Sequence, residues 1–188
     1  MSLERREQLV QHIVDTQPEL GAFVRNLPSG CSLMSGNWGF LSYSFQRGFE
    51  TLWDHARSDH SGLLLQPLLF LWRQSVELAL KAAVTKIAGE IKGNLGHDLS
   101  ALFGQLCESL TMCGIGNDDE LTRSVSKMIS LVQSVDPFAD RFRYPSTRSG
   151  KPFEGVHADF DELFQAHWII VTYCEGSALE VEEARPFT

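Results

Sequence analysis

Three charged residues, Arg73, Glu77 and Lys81, recur at every fourth position inside the apolar run LFLWRQSVELALKAA. On a helix of 3.6 residues per turn each step of four advances about 40°, so the three share a sector of about 80°. The alternating signs allow Glu77 to serve both cations, a ladder that offsets the cost of desolvating each charge. The same stripe can instead line a polar pocket, where Arg73 and Lys81 meet a phosphate-bearing ligand and Glu77 holds the Arg73 rotamer. The spacing is compatible with both arrangements.

Two further places carry residues suited to phosphate chemistry. In GHDL, His97 stands at the start of the next predicted helix, where the positive end of the helix dipole favours a neutral ring able to accept a proton. It is a candidate general base, or else a histidine that closes the loop, and Asp98 beside it suits the helix N-cap. The segment DRFRYPSTRSGK, residues 140–151, sets Arg141, Arg143, Arg148 and Lys151 against a single acid and interleaves Phe142 and Tyr144. Arginines among stackable rings are what single-stranded RNA or a nucleotide uses, and an ordinary solvated loop is the plainer alternative.

Metal chemistry finds less support. His55 and Asp59, with His60 adjacent, and later His157 and Asp161 have the i, i+4 spacing of helical ligand pairs. Two ligands are fewer than a closed site needs, and a four-helix metal enzyme would require inward carboxylate and histidine ligands from several helices. No repeated ExxH supplies them, so neither a metal nor another cofactor is expected. GxGxxG, the P-loop, GxSxG and HExxH are likewise absent from the sequence.

The chain that must position these residues has 188 of them, 43% hydrophobic and 21% charged, which suits one soluble domain with a sizeable core. Its 16 Lys and Arg stand against 24 acids, and the net charge of -8 excludes a protein that coats nucleic acid over its whole surface. Cys31, Cys107, Cys113 and Cys174 form no CxxC pair and are expected to be reduced, buried thiols. The opening MSLERREQLVQHIVD has no secretory pattern, and GLLLQPLLFLW is too short to cross a bilayer. The expectation is a cytoplasmic protein without a membrane span.

Hydrophobic periodicity predicts helices over residues 3–15, 40–56, 63–91, 99–110, 120–135 and 157–183. Residues 17–39 and 136–155 are rich in Pro and Gly and are read as irregular. The stripe Phe40, Tyr43, Phe45, Phe49 and Trp53 predicts a strongly buried face, and Phe160, Leu163, Phe164, Trp168, Ile169 and Val171 are expected inside the last helix. Residues 63–91 are apolar nearly all round and therefore central, with Pro67 in the first turn or at a kink. No strand alternation or internal repeat appears, so the fold class is all-α: an up-and-down bundle of about five to six helices. Residues 1–188 read as one domain, with N-terminal helices and a packed loop over 1–60 and the core bundle over 61–188.

The segments LLFLWRQSVELALKAAV, GHDLSALF and DRFRYP, in this order within residues 63–145, make the chain similar to the HEPN superfamily. They resemble in particular a bacterial group found near toxin-antitoxin and phage-defence genes. The resemblance implies a helical bundle that dimerises, with metal-independent RNA cleavage or noncatalytic binding of RNA or nucleotide, and an antitoxin-like partner protein. Catalytic members carry an arginine and a histidine a few residues apart, converging across a dimer interface. Here only Arg5 and Arg6 with His12 have that spacing, in the first predicted helix, and no histidine follows Arg73 before His97.

A variant arrangement brings Arg73, His97 and Arg143 together in space, His97 as base and Arg73 or Arg143 as the cation that meets phosphorane charge. The catalytic candidates are therefore His97 and Arg73, and the binding candidates Arg73, Glu77, Lys81, Asp98, Arg141, Arg143 and Tyr144. A competing reading is a noncatalytic interaction module, in which the stripe is a closed salt-bridge ladder and the acidic surface meets a basic partner or a second subunit.

Overall fold

The computed structural model describes residues 38–93, 95–155 and 157–184, together with Gln8 and His12. Among residues 38–184 as described, five helices run in chain order: α1 Trp38–Ala56, α2 Leu65–Ala88, α3 Leu99–Met112, α4 Glu120–Val135 and α5 Phe160–Ala184. They pack as an all-α, up-and-down bundle. The expected helix over 3–15 and residues 17–37 of the irregular section expected over 17–39 lie outside the described residues, Gln8 and His12 apart, and residues 38 and 39 open α1. The chain divides into two compact units, Met1–Gly36 and Asn37–Thr188, and the second holds all five helices. Helix α1 packs on α2 within the second unit.

Helix α2 is central, as its composition requires: it packs on α1, α3 and α5, and buries Leu68, Trp72, Val76, Leu80, Val84 and Ile87. Pro67 lies in its first turn, where a missing backbone N–H leaves no hydrogen bond unmade. Two indoles fasten it and α1 to the start of α5, Trp72 Nε1 donating to the Leu163 carbonyl at 2.9 Å and Trp53 Nε1 to that of Phe160 at 2.8 Å. Each places a ring in the core while giving its N–H a partner.

The connection from α2 to α3 decides where His97 goes. Glu77 lies about 16 Å below the end of α2 at 1.5 Å rise per residue. Gly89 (φ 84°) ends the helix with its N–H on the Thr85 carbonyl, and residues 90–98 bring the chain back to the level of Glu77. There Asp98 caps α3 by accepting from the Ala101 N–H at 2.9 Å, and the Leu99 N–H donates to Gln133 Oε1 at 2.9 Å. The start of α3 is thereby tied to the end of α4. Asp119 caps α4 through the Thr122 N–H at 2.7 Å.

After α4 the chain forms no helix until Phe160, yet residues 136–154 are well tied. Asp136 is buried and accepts from the backbone N–H groups of Asp140 (2.9 Å) and Arg141 (3.1 Å). Arg141 donates to the carbonyls of Val135 at 3.2 Å and Glu154 at 2.6 Å and lies over the Phe153 ring. Phe142 is in the core, and Ala139 holds a left-handed backbone, φ 55°. An isolated bridge between Ser146 and Pro152 completes the segment.

Three expectations about burial are corrected. Phe40 and Tyr43 are exposed, because the inward row of α1 is Ser42, Gln46, Phe49 and Ala56, with Gln46 Nε2 donating to Ser42 Oγ at 3.1 Å. Trp168 is exposed, because its neighbour His167 takes the inward position. Cys113 is exposed and Cys107 partly so, while Cys174 is buried; all three are free thiols, and Cys31 lies outside the described residues.

Candidate functional site

The charged stripe of α2 is a closed cluster around one carboxylate. Arg73 and Glu77 are 2% and 1% exposed, and Arg73 Nη1 donates to Glu77 Oε2 at 3.0 Å. Lys81 Nζ donates to Glu77 Oε1 at 2.7 Å and lies 5.8 Å from the centre of the Trp38 ring. The third partner comes from outside the helix: His97 Nδ1 stands 3.0 Å from both Glu77 oxygens. Burial alone would raise the Glu77 pKa, but the hydrogen bonds from Lys81 and His97 outweigh it and hold the carboxyl below its usual range. Glu77 is thus ionised at neutral pH.

Because an ionised carboxylate only accepts, His97 must carry its proton on Nδ1, which leaves the Nε2 lone pair outward in the neutral ring. The imidazole is 47% exposed. Its backbone is held as well, since Arg73 Nη2 donates to the His97 carbonyl at 2.6 Å. One buried arginine therefore grips His97 twice, directly at the carbonyl and through Glu77 at the ring. Burial lowers the Arg73 pKa, against the raising effect of Glu77, and its Nε is buried without a hydrogen-bond partner.

His97 borders two adjoining concavities made by the α2–α3 connection and the segment after α4. One, of about 570 Å³, is lined by His97, Phe138, Asp140, Arg143, Tyr144 and Arg148 among others. The other, of about 840 Å³, shares His97, Phe138, Asp140 and Arg148 and extends past Asp98 and Arg141 to Phe153. Arg143 donates through Nε to the Ala139 carbonyl and stacks 5.9 Å from the Phe70 ring centre, and among the described residues neither its Nη atoms nor the Arg148 guanidinium has a partner. Its charge also acts on Arg73.

The predicted site residues therefore fall into two sets joined by His97. His97, Arg143 and Tyr144 face one groove, with Asp98 and Arg141 in its extension. Asp98 is chiefly the α3 cap, and the Arg141 terminal nitrogens are engaged by backbone carbonyls. Arg73, Glu77 and Lys81 line neither concavity, so Arg73 is closed to a direct phosphate contact and stands behind the groove. Arg73 hydrogen-bonds the His97 carbonyl, and His97 in turn shares a concavity with Arg143, from which Arg73 is absent.

Two groups escaped the sequence reading. Phe138, 73% exposed at the groove, follows Pro137 in a polar segment, a placement that could have marked it as a surface ring. Ser75 and His167 form a buried pair, Oγ to Nε2 at 2.6 Å, across 92 positions that no spacing rule connects. Among the described residues no three His, Cys, Asp or Glu side chains gather as metal ligands, the pairs at His55 and His157 included, and no helix is long and apolar enough to cross a membrane. No family model, no curated protein and no solved structure matches this chain.

Proposed function

We propose that this chain is a HEPN-like domain that binds RNA or a nucleotide in the His97–Arg143 groove and cleaves RNA there without a metal. The observation that carries the reading is the outward His97 ring, oriented by a buried carboxylate and set in one concavity with two arginines whose terminal nitrogens lack partners. A histidine oriented by a carboxylate is the arrangement that general-base catalysis uses. Tyr144 supplies a face for a base.

In this reading His97 Nε2 takes the proton from a ribose 2′-hydroxyl, whose oxygen attacks the adjacent phosphorus. The bond from phosphorus to the 5′-oxygen breaks, that oxygen leaves with a proton from water, and a 2′,3′-cyclic phosphate remains. Arg143 neutralises charge on the phosphoryl oxygens at the pentacoordinate stage. Arg73 is a positioning residue: it fixes the backbone and, through Glu77, the ring of the base. The homodimer, an antitoxin-like partner, a toxin-antitoxin or phage-defence setting and a cytoplasmic location belong to the same proposal, on the strength of the family resemblance.

The test is incubation of the purified chain with end-labelled RNA in the presence of EDTA. Cleavage to cyclic-phosphate ends, lost in His97→Ala and reduced in Arg143→Ala, is the expected result; cleavage unchanged in His97→Ala removes the catalytic assignment. One observation favours a second reading, a noncatalytic module: Arg73 and Glu77 are sealed, as a purely structural ladder requires. RNA bound but left intact, with binding weakened by Arg143→Ala, selects noncatalytic binding. No affinity for RNA or nucleotide selects the interaction module, whose self-association light scattering would register.

A further inference from the structure

Resting on the reading of the groove as a phosphate and base site, its geometry also limits what it can take. Phe138 and Tyr144 are 73% and 55% exposed, and both line the 570 Å³ concavity with His97, Arg143 and Arg148. An aromatic ring left largely in water beside partnerless guanidinium groups is the constitution of a stacking platform flanked by phosphate contacts. The cations are few and local. Residues 140–151 carry four Lys and Arg against one acid, so the rest of the chain is still more acidic than the -8 of the whole. A long polyanion that leaves the groove meets like charge, and its added phosphates gain nothing.

We infer that the groove takes a short unpaired stretch of about two to four nucleotides, bases stacked on Phe138 and Tyr144 and phosphates on Arg143 and Arg148. Phe138 and Arg148 are then specificity-determining residues. A duplex does not fit this chemistry, because its bases are stacked on one another and cannot spread onto the two rings. Asp140, which shares the groove, disfavours any further phosphate beside it.

The test measures binding of the whole chain to 2′-O-methyl RNA strands, which cannot be cleaved by 2′-hydroxyl attack. Labelled strands of about 4, 8 and 16 nucleotides are compared with a duplex of the longest, in a salt series. Affinity should stop rising at the shortest strand, with a slope of log affinity on log salt of about -1.4, since each of the two phosphate contacts contributes about -0.7 on a single strand. Phe138→Ala should weaken binding about tenfold, the scale of one lost base stack, and Phe138→Trp should restore it.

Failure of adenosine 5′-monophosphate to compete supports the strand, and competition at comparable affinity would assign the site to a free nucleotide and overturn the inference. A duplex bound as tightly as the strand overturns the inference, as does affinity that climbs with length or an unaltered Phe138→Ala, and each leaves the reading of the groove standing. That reading itself falls if no probe binds, or if Arg143→Ala and Arg148→Ala bind every probe as the parent does.

Discussion

Helix α2 holds two histidines, one on each side, and treats them in opposite ways. Ser75 and Glu77 are two residues apart, about 200° around the axis, so their partners approach from opposing directions. His167 meets Ser75 in the core, sealed against the Phe49 ring at 4.4 Å, with a hydroxyl for a partner. His97 meets Glu77 at the rim, half in water, with a carboxylate for a partner. The Ser75 hydroxyl donates to the Trp72 carbonyl and so accepts from the ring N–H, a bond that neutral and charged imidazole can both make, so burial decides, and it pushes the His167 pKa down to about 4. A carboxylate fixes the tautomer of the ring it meets. One helix thus holds one histidine in the core through a hydroxyl and another at the rim through a carboxylate.

The sharpest way to break that contrast is to remove the partner on each side. Glu77→Ala leaves Arg73 and Lys81 buried or half-buried without the carboxylate they share, and the loss of a buried pair's partner costs about 3 to 5 kcal/mol. Ser75→Ala removes one neutral hydrogen bond to His167 and should cost about 1 kcal/mol, plus what His167 loses if left unsatisfied. Urea unfolding of the two variants should show the Glu77 change as the larger by a clear margin; equal midpoints would mean that the ladder is not the anchor described here.

Next in size is an acid effect that belongs to one histidine. His167 has its folded pKa depressed from 6.5 to about 4, so the unfolded chain binds the proton more readily. Its contribution is fully present above pH 6.5 and is lost as pH falls from there to about 4, a total of about 3 kcal/mol at 1.36 kcal/mol per unit. Stability measured by urea titration from pH 7 to 4 should decline through this window, and in His167→Gln the decline should be shallower by about that amount. Glu77, whose pKa is also depressed, adds a loss that begins as pH falls through the ordinary carboxylate range and continues below it.

How much of this could be read from the chain follows from where each contact lies in sequence. The i, i+4 ladder of Arg73, Glu77 and Lys81 was legible because helical spacing alone brings those side chains together, and two helix starts were legible from Asp98 and Pro67. That the ladder is closed was not, since it depends on His97 reaching Glu77 through a return loop whose path no periodicity encodes. The buried Ser75–His167 pair was illegible for the same reason, and it also explains the misplaced Trp168, because a satisfied histidine displaced a larger ring from the core. Arg141 and Arg143 look alike in DRFRYP, yet one is spent on two carbonyls that tie down the segment and the other keeps its terminal nitrogens free.

That difference between neighbours gives the smallest effect on stability and the most pointed test of the groove. Arg143 is exposed, among the described residues its one hydrogen bond runs to the nearby Ala139 carbonyl, it lies over the Phe70 ring, and its charge repels that of Arg73. Arg143→Ala should therefore leave the unfolding midpoint within about 0.5 kcal/mol, as for an ordinary surface change. Arg141→Ala removes two carbonyl contacts and the contact with Phe153, and should cost about 1 to 2 kcal/mol. For ligand binding the order should reverse at the guanidinium itself, with Arg143→Ala weakening the affinity of the folded protein more than Arg141→Ala does. A pair of variants that shifted stability and binding in the same order would show that the two arginines do not divide the work between holding the segment and meeting a phosphate.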